Sequence, residues 1–170
     1  ALAVARGATG RTYLTNIDSL NNQTPFKETV RQSNLCLEIA LPTREFKDYS
    51  QLYEEHSDST GTVALCFLLA LDAYKINGFS DYSECAELAC AALEEIIEEF
   101  HSPFPNIESS AKKYRSVGIG LTNVAALMAS KSLKYSDAEG KKFLEYLAET
   151  HLFHILHGSV KLAKELGKFE

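Results

Sequence analysis

No stretch of this sequence is long and apolar enough to span a membrane. Its longest strictly apolar run, Val63 to Leu71, has nine residues, against roughly 20 for a spanning helix. No cationic segment followed by an apolar one opens the chain, so no secretory signal is read. A basic excess is also missing: 17 Lys and Arg stand against 23 Asp and Glu, a net charge of −6. That balance argues against a broad nucleic-acid footprint. There is no C-x-x-C, and the four cysteines fall at irregular spacing. A disulfide framework is therefore not expected, and a reducing, cytoplasmic setting is. Internal repeats and low-complexity segments are absent as well. The chain opens Ala1-Leu2-Ala3 without Met and stops at Glu170, so a segment of a longer protein is expected. What is present suits one domain. With 170 residues and 45% hydrophobic content, a packed core is affordable and disorder is not indicated.

The first eighty residues read as strands and loops. Gly10 to Asp18 (GRTYLTNID) has the content of a short strand, and Asn21 to Pro25 (NNQTP) that of a turn. Ser33 to Ala40 reads as a strand ending before Pro42. A polar loop follows from Arg44 to Gly61. Thr62 to Leu71 is a near-continuous apolar run, either a strand buried on both faces or a buried helix segment. The rest reads as helix. Asp81 and Glu84 give a D-x-x-E start; Leu88, Ala92, Ile96 and Phe100 follow at helical spacing; Pro103 and Pro105 end the element. Val117 to Leu133 predicts a shorter helix after Gly120. Ser136 and Glu139 form an S-x-x-E start for a helix running to Gly167, with Gly158 as a possible bend.

The stretch RQSNLCLEIALP, Arg31 to Pro42, carries unusual chemistry. As a strand it sets Asn34, Cys36 and Glu38 on one face and Leu35, Leu37 and Ile39 on the other. The bland reading is a half-buried strand with a cysteine acting as a small hydrophobe. The functional reading uses all three polar-face residues. A carboxylate can take a hydroxyl proton, an amide can hold that hydroxyl or the carboxylate, and a thiol can serve as nucleophile, redox centre or radical carrier.

RQSNLCLEIALPT closely resembles the finger-loop motif of the large, catalytic subunit of class I ribonucleotide reductases. The resemblance continues through TGRTYLTNIDSLNNQTPF upstream and through GTVALCFLLAL, KKYRSVGIGLTNVAALMASKSLKYSDAEG and HGSVKLAKELG downstream. It implies an α/β fold: residues 1–170 would be one segment of a ten-stranded α/β barrel, with strands and finger loop in 1–80 and helices in 81–170. It implies that Cys36 becomes a thiyl radical, that Glu38 takes the 3′-hydroxyl proton, and that Asn34 hydrogen-bonds the substrate. Cys66 would be half of the cysteine pair that supplies electrons, and Leu68, two residues on, would contact the substrate. No metal or cofactor is expected on this segment. The implied radical source is a metal-linked cofactor in a separate small subunit, with ATP and dNTP effectors bound elsewhere. Other implied partners are ribonucleoside diphosphate, the remaining parts of the large subunit, and thioredoxin or glutaredoxin. The segment alone is expected to show no turnover. Phe67 and Asp72 depart from the residues familiar members carry, where smaller or neutral polar side chains are expected.

Two other function classes stay open on the residues themselves. One is a thiol oxidoreductase using Cys36 and Cys66, against which the missing C-x-x-C counts. The other is a non-catalytic helical interaction module. Lesser features receive plain readings. Cys85 and Cys90 are core or boundary residues on different helix faces. His151, His154 and His157 are helix-surface residues rather than metal ligands. Glu94, Glu95, Glu98 and Glu99 form a solvated face. Gly118 to Gly120 reflects packing or a turn rather than a phosphate cradle.

Overall fold

A computed structural model describes residues 1–24, 26–34, 36–76 and 78–169. Pro25 of the expected turn, Leu35 of the expected strand and the terminal Glu170 lie outside them. The chain divides into two compact units, residues 1–65 with 102–110, and residues 66–101 with 111–170. Among the described residues no helix is long and apolar enough to cross a membrane.

The first unit holds helices α1 (Leu2–Thr9) and α2 (Ile17–Gln23), a 3-10 turn at Tyr49–Tyr53, and the start of α4 (Pro105–Tyr114). The strand expected at Gly10 to Asp18 does not form; Gly10 closes α1 in a left-handed conformation and Ile17 opens α2. Asn21, on the last turn of α2, does a strand's work with its side chain. Its Nδ2 donates to the Val30 carbonyl at 2.8 Å and its Oδ1 accepts from the Val30 amide at 2.8 Å. That bracket fixes Val30, which is 1% exposed, as the centre of the local core. Arg44 orders the polar loop. It pairs with Thr62 as an antiparallel bridge, and its guanidinium donates to the carbonyls of Asp58 and Thr60. Buried Gln51 accepts from the amides of Lys47 and Gly61. Buried Asn106 on α4 donates to Thr60 Oγ1 and the Gly61 carbonyl, both at 3.2 Å. Pro105 opens α4 rather than ending a helix, because the first helical residue has no intrahelical use for an amide proton.

The second unit is a parallel two-stranded sheet with helices. Strand β1 (Phe67–Asp72) pairs with β2 (Val117–Thr122) in the register Phe67–Val117 to Asp72–Thr122. The α/β class therefore holds, but the strands do not all lie in the first eighty residues. β2 occupies a span expected to be helical, and the following helix, α5 (Val124–Ser130), starts four residues beyond Gly120. Nor is β1 buried on both sides. Phe67, Leu69 and Leu71 are partly covered, while Leu68 and Ala70 on the alternate face are exposed. The departures at Phe67 and Asp72 have local partners. Phe67 meets Phe100 edge to face at 5.3 Å. Asp72 accepts from Asn123 Nδ2 at 2.8 Å and from the Tyr74 amide at 3.0 Å, which ties the ends of the two strands together.

Helix α3 (Phe79–Glu98) packs against β1 and against α6 (Ala138–Leu166). Its buried row is Tyr82, Ala86, Ala89, Cys90, Leu93 and Ile97. The expected row is the wrong one: Leu88 and Ile96 are exposed. α3 is apolar on two faces, and packing against β1 and α6 selects one of them. α6 begins at Ala138, capped by Asp137 without a side-chain cap bond, and ends before Gly167. It runs unbroken through Gly158. A Cβ there would lie 3.2 Å from Cys90 Sγ and 3.4 Å from the Ala86 carbonyl, so the glycine permits close approach of α3 and α6 and marks no bend.

The histidines of α6 are mostly not surface residues. Tyr82, pushed up to about 12 by burial and then by nearby Cys85, stays protonated and donates to His151 Nδ1 at 2.8 Å. His151 then holds its proton on Nε2 and donates to the Ile119 carbonyl at 2.7 Å. His154 is 2% exposed and stacks on Tyr82 at 5.4 Å. Burial, and then the neighbouring His157, hold its imidazole below the ordinary range, with Glu87 opposing. An unfolded histidine titrates near 6.5. The unfolded chain therefore binds a proton that the fold resists, and stability is lost as pH falls below about 6.5. Thermal unfolding from pH 7.5 to 5 is expected to show this loss, and His154→Leu should flatten that part of the profile. Identical slopes for the two proteins would remove His154 as the cause. The acidic face of α3 is not simply solvated either. Arg115, between α4 and β2, binds Glu94 through Nε and Nη2 and reaches Glu98 at 2.8 Å.

Candidate active site

Among the described residues of Ser33 to Ala40 no strand forms, and the chain turns at Cys36 and Leu37. The Leu37 amide donates to the Asn34 carbonyl at 3.2 Å, and Leu37 takes φ 64°, in the left-handed region. The physical reason lies in Asn34. Its side chain competes with any strand partner for the local backbone: Oδ1 accepts from the Ile39 amide at 3.1 Å and from Ser33 Oγ at 3.1 Å. Its Nδ2 donates to Glu38 Oε1. Strand alternation predicted Asn34 and Glu38 on one face. The turn joins them by another route, as residues four apart whose side chains are directly hydrogen-bonded.

Cys36 lies within this turn and is exposed. Leu37, 36% exposed, lines a cavity of about 540 Å³ with Leu14, Leu20, Phe26, Val30 and Ala40. Of the aliphatic face expected at Leu35, Leu37 and Ile39, Leu37 lines this cavity, and Leu35 lies outside the described residues. A turn built this way presents an exposed thiol beside an amide–carboxylate pair. Chemically, the carboxylate can accept a proton while the amide fixes its orientation.

Cys66 and Leu68 belong to the second unit. Cys66 precedes β1, is partly buried, and has Sγ 4.0 Å from the Phe67 carbonyl. Leu68 is 59% exposed. Gly118, read from the sequence as a packing or turn glycine, lies on β2, where a Cβ would meet Leu68 Cδ2 at 2.6 Å and Cys66 Sγ at 3.3 Å. The signal was present in the paired glycines of VGIG, but it needs the β1–β2 register to be read. Among the described residues no group of three or more His, Cys, Asp or Glu is arranged to hold a metal ion.

The parallel β1–β2 pair with its packed helices defines the class as an α/β protein. The comparison with known proteins narrows this. Residues 1–170 match the family described as "Ribonucleotide reductase, barrel domain", and the chain belongs to that family. It is similar to the ribonucleoside-diphosphate reductase alpha subunit of Buchnera aphidicola from Schizaphis graminum, 38% identical over 165 residues, covering 95% of this chain and 21% of that protein. The ribonucleoside-diphosphate reductase 1 subunit alpha of Escherichia coli is 37% identical over 165 residues, covering 95% of this chain and 21% of that protein. The subunit alpha of Enterobacteria phage T4 is 36% identical over 174 positions, covering 99% of this chain and 21% of that protein. The chain thus spans about a fifth of the length of the curated relatives it matches.

Proposed function

We propose that this chain carries the radical loop and one redox cysteine of a ribonucleoside-diphosphate reductase large subunit. The observation that carries the reading is the Asn34–Glu38 hydrogen bond on the turn that exposes Cys36. In the proposed sequence, Cys36 as a thiyl radical takes the hydrogen atom from the ribose C3′. Glu38 takes the 3′-hydroxyl proton, and Asn34 holds Glu38 and the substrate hydroxyl in register. The 2′-hydroxyl leaves as water. Cys66 and a partner cysteine on another part of the subunit together give up two electrons and two protons and close to a disulfide. Cys36 then returns its hydrogen to C3′ and is a radical again. Overall a ribonucleoside diphosphate and a dithiol become a deoxyribonucleoside diphosphate, a disulfide and water. Leu68 supplies an apolar contact for the substrate.

By family resemblance the metal-linked radical source sits on a separate small subunit. Thioredoxin or glutaredoxin re-reduces the disulfide, and nucleotide effectors bind outside this segment. The test is deoxyribonucleoside diphosphate formation by the chain assembled with the rest of the large subunit and a small subunit. Glu38→Gln keeps the hydrogen-bonding shape but removes the base. Its turnover is expected to fall roughly 10²–10⁴-fold. Unchanged turnover would take the proton-acceptor role away from Glu38.

A further inference from the structure

We infer that Gly118 is a positioning residue for the Cys66 sulfur, acting through Leu68; this rests on the redox role proposed for Cys66. In the parallel register Leu68 sits opposite Gly118, and paired residues of neighbouring strands share a face. That face also carries Ala70 opposite Gly120. The Leu68 side chain lies across β2, with Cδ2 only 2.6 Å from where a Gly118 Cβ would be. The same Cβ would lie 3.3 Å from Cys66 Sγ. Gly118 thus occupies the diagonal between the leucine and the thiol, and a methyl group placed there collides with the one and crowds the other.

The collision is with the flexible end of an exposed leucine, so the sheet need not break to relieve it. Leu68 must instead turn off β2. Along its own strand the neighbours on the same face are Cys66 and Ala70, and a leucine turned back toward Cys66 shields the sulfur. Cys66 Sγ must also shift by a few tenths of an ångström. Both changes matter for thiol chemistry, because disulfide closure demands a narrow range of sulfur geometry and open access to the attacked sulfur. Gly118 keeps the notch beside Cys66 clear for a second sulfur or for substrate.

The test is iodoacetamide labelling of the assembled native protein, read separately at each cysteine by peptide mass spectrometry. Gly118→Ala is expected to slow labelling of Cys66 by about two- to tenfold, the rate equivalent of an off-rotamer strain. Adding Leu68→Ala should restore most of the lost rate. Cys90, buried against α6, should label equally in all variants. An unchanged Cys66 rate overturns the inference. So does faster labelling at both Cys66 and Cys90, which would mean that Gly118 holds the fold rather than the sulfur. In dithiol-driven turnover Gly118→Ala should lower kcat, and an unchanged kcat would count against it. If the labelling changes as expected while Cys66→Ser leaves turnover intact, the clearance role stands and the redox assignment of Cys66 fails.

Discussion

Cys36→Ser is expected to abolish deoxyribonucleoside diphosphate formation in the assembled reductase while leaving stability within about 0.5 kcal/mol of the parent. The two halves of that expectation have separate causes. Cys36 is exposed on the Asn34–Glu38 turn, and its side chain is not part of the hydrogen bonds that close it. Exchanging sulfur for oxygen therefore costs the fold little. The chemistry, by contrast, depends on how readily the side chain's X–H bond gives up and regains a hydrogen atom. A serine O–H bond is too strong to be opened and re-formed in step with a sugar C–H bond. Product chromatography alongside thermal unfolding reads both outcomes. Residual turnover in the serine variant would assign hydrogen abstraction to another residue. Loss of both turnover and stability would make Cys36 a structural residue.

Leu93→Ala is expected to destabilise the second unit by about 2–5 kcal/mol, through lost burial and the cavity left behind. Leu93 is 1% exposed on the row of α3 that meets β1 and α6. Against a typical total of roughly 5–15 kcal/mol, the loss should move the melting temperature down by several degrees. Leu88→Ala on the same helix is the matched control. Leu88 is exposed, so the same chemical change should cost little. A larger loss at Leu88 than at Leu93 would mean that the faces of α3 have been assigned the wrong way round.

That pair of leucines shows where sequence reading stopped. Both rows of α3 repeat at helical spacing, and the period cannot say which row meets a neighbour, because the choice is made by β1 and α6 from elsewhere in the chain. β2 was illegible for a related reason. In VGIGLT two glycines dilute the strand signal of Val, Ile and Thr, and the segment becomes a strand by pairing with Phe67–Asp72, fifty residues upstream. His154 read as a surface residue because histidine is polar, but its ring is used as a flat surface stacked on Tyr82. The grouping of the loop residues was legible because it is local. Asn34, Cys36 and Glu38 fall within five residues, and the hydrogen bond between the outer two forms inside that span. Even there the backbone was misjudged, since alternation in the sequence does not reveal that Asn34 will take the Ile39 amide for its own side chain.

Leu37 is where two selective pressures part. A leucine at φ 64° carries about 1–2 kcal/mol of backbone cost that glycine would avoid. Glycine, however, has nothing to lodge among Leu20, Phe26 and Val30. A population of variants enriched only for folding would tend to drift toward glycine or asparagine at this position. One enriched for the proposed activity is expected to keep the leucine, whose side chain lines the cavity beside the turn. Position 37 is thus a place where the residue frequencies of a selected library would report which of the two demands had been imposed.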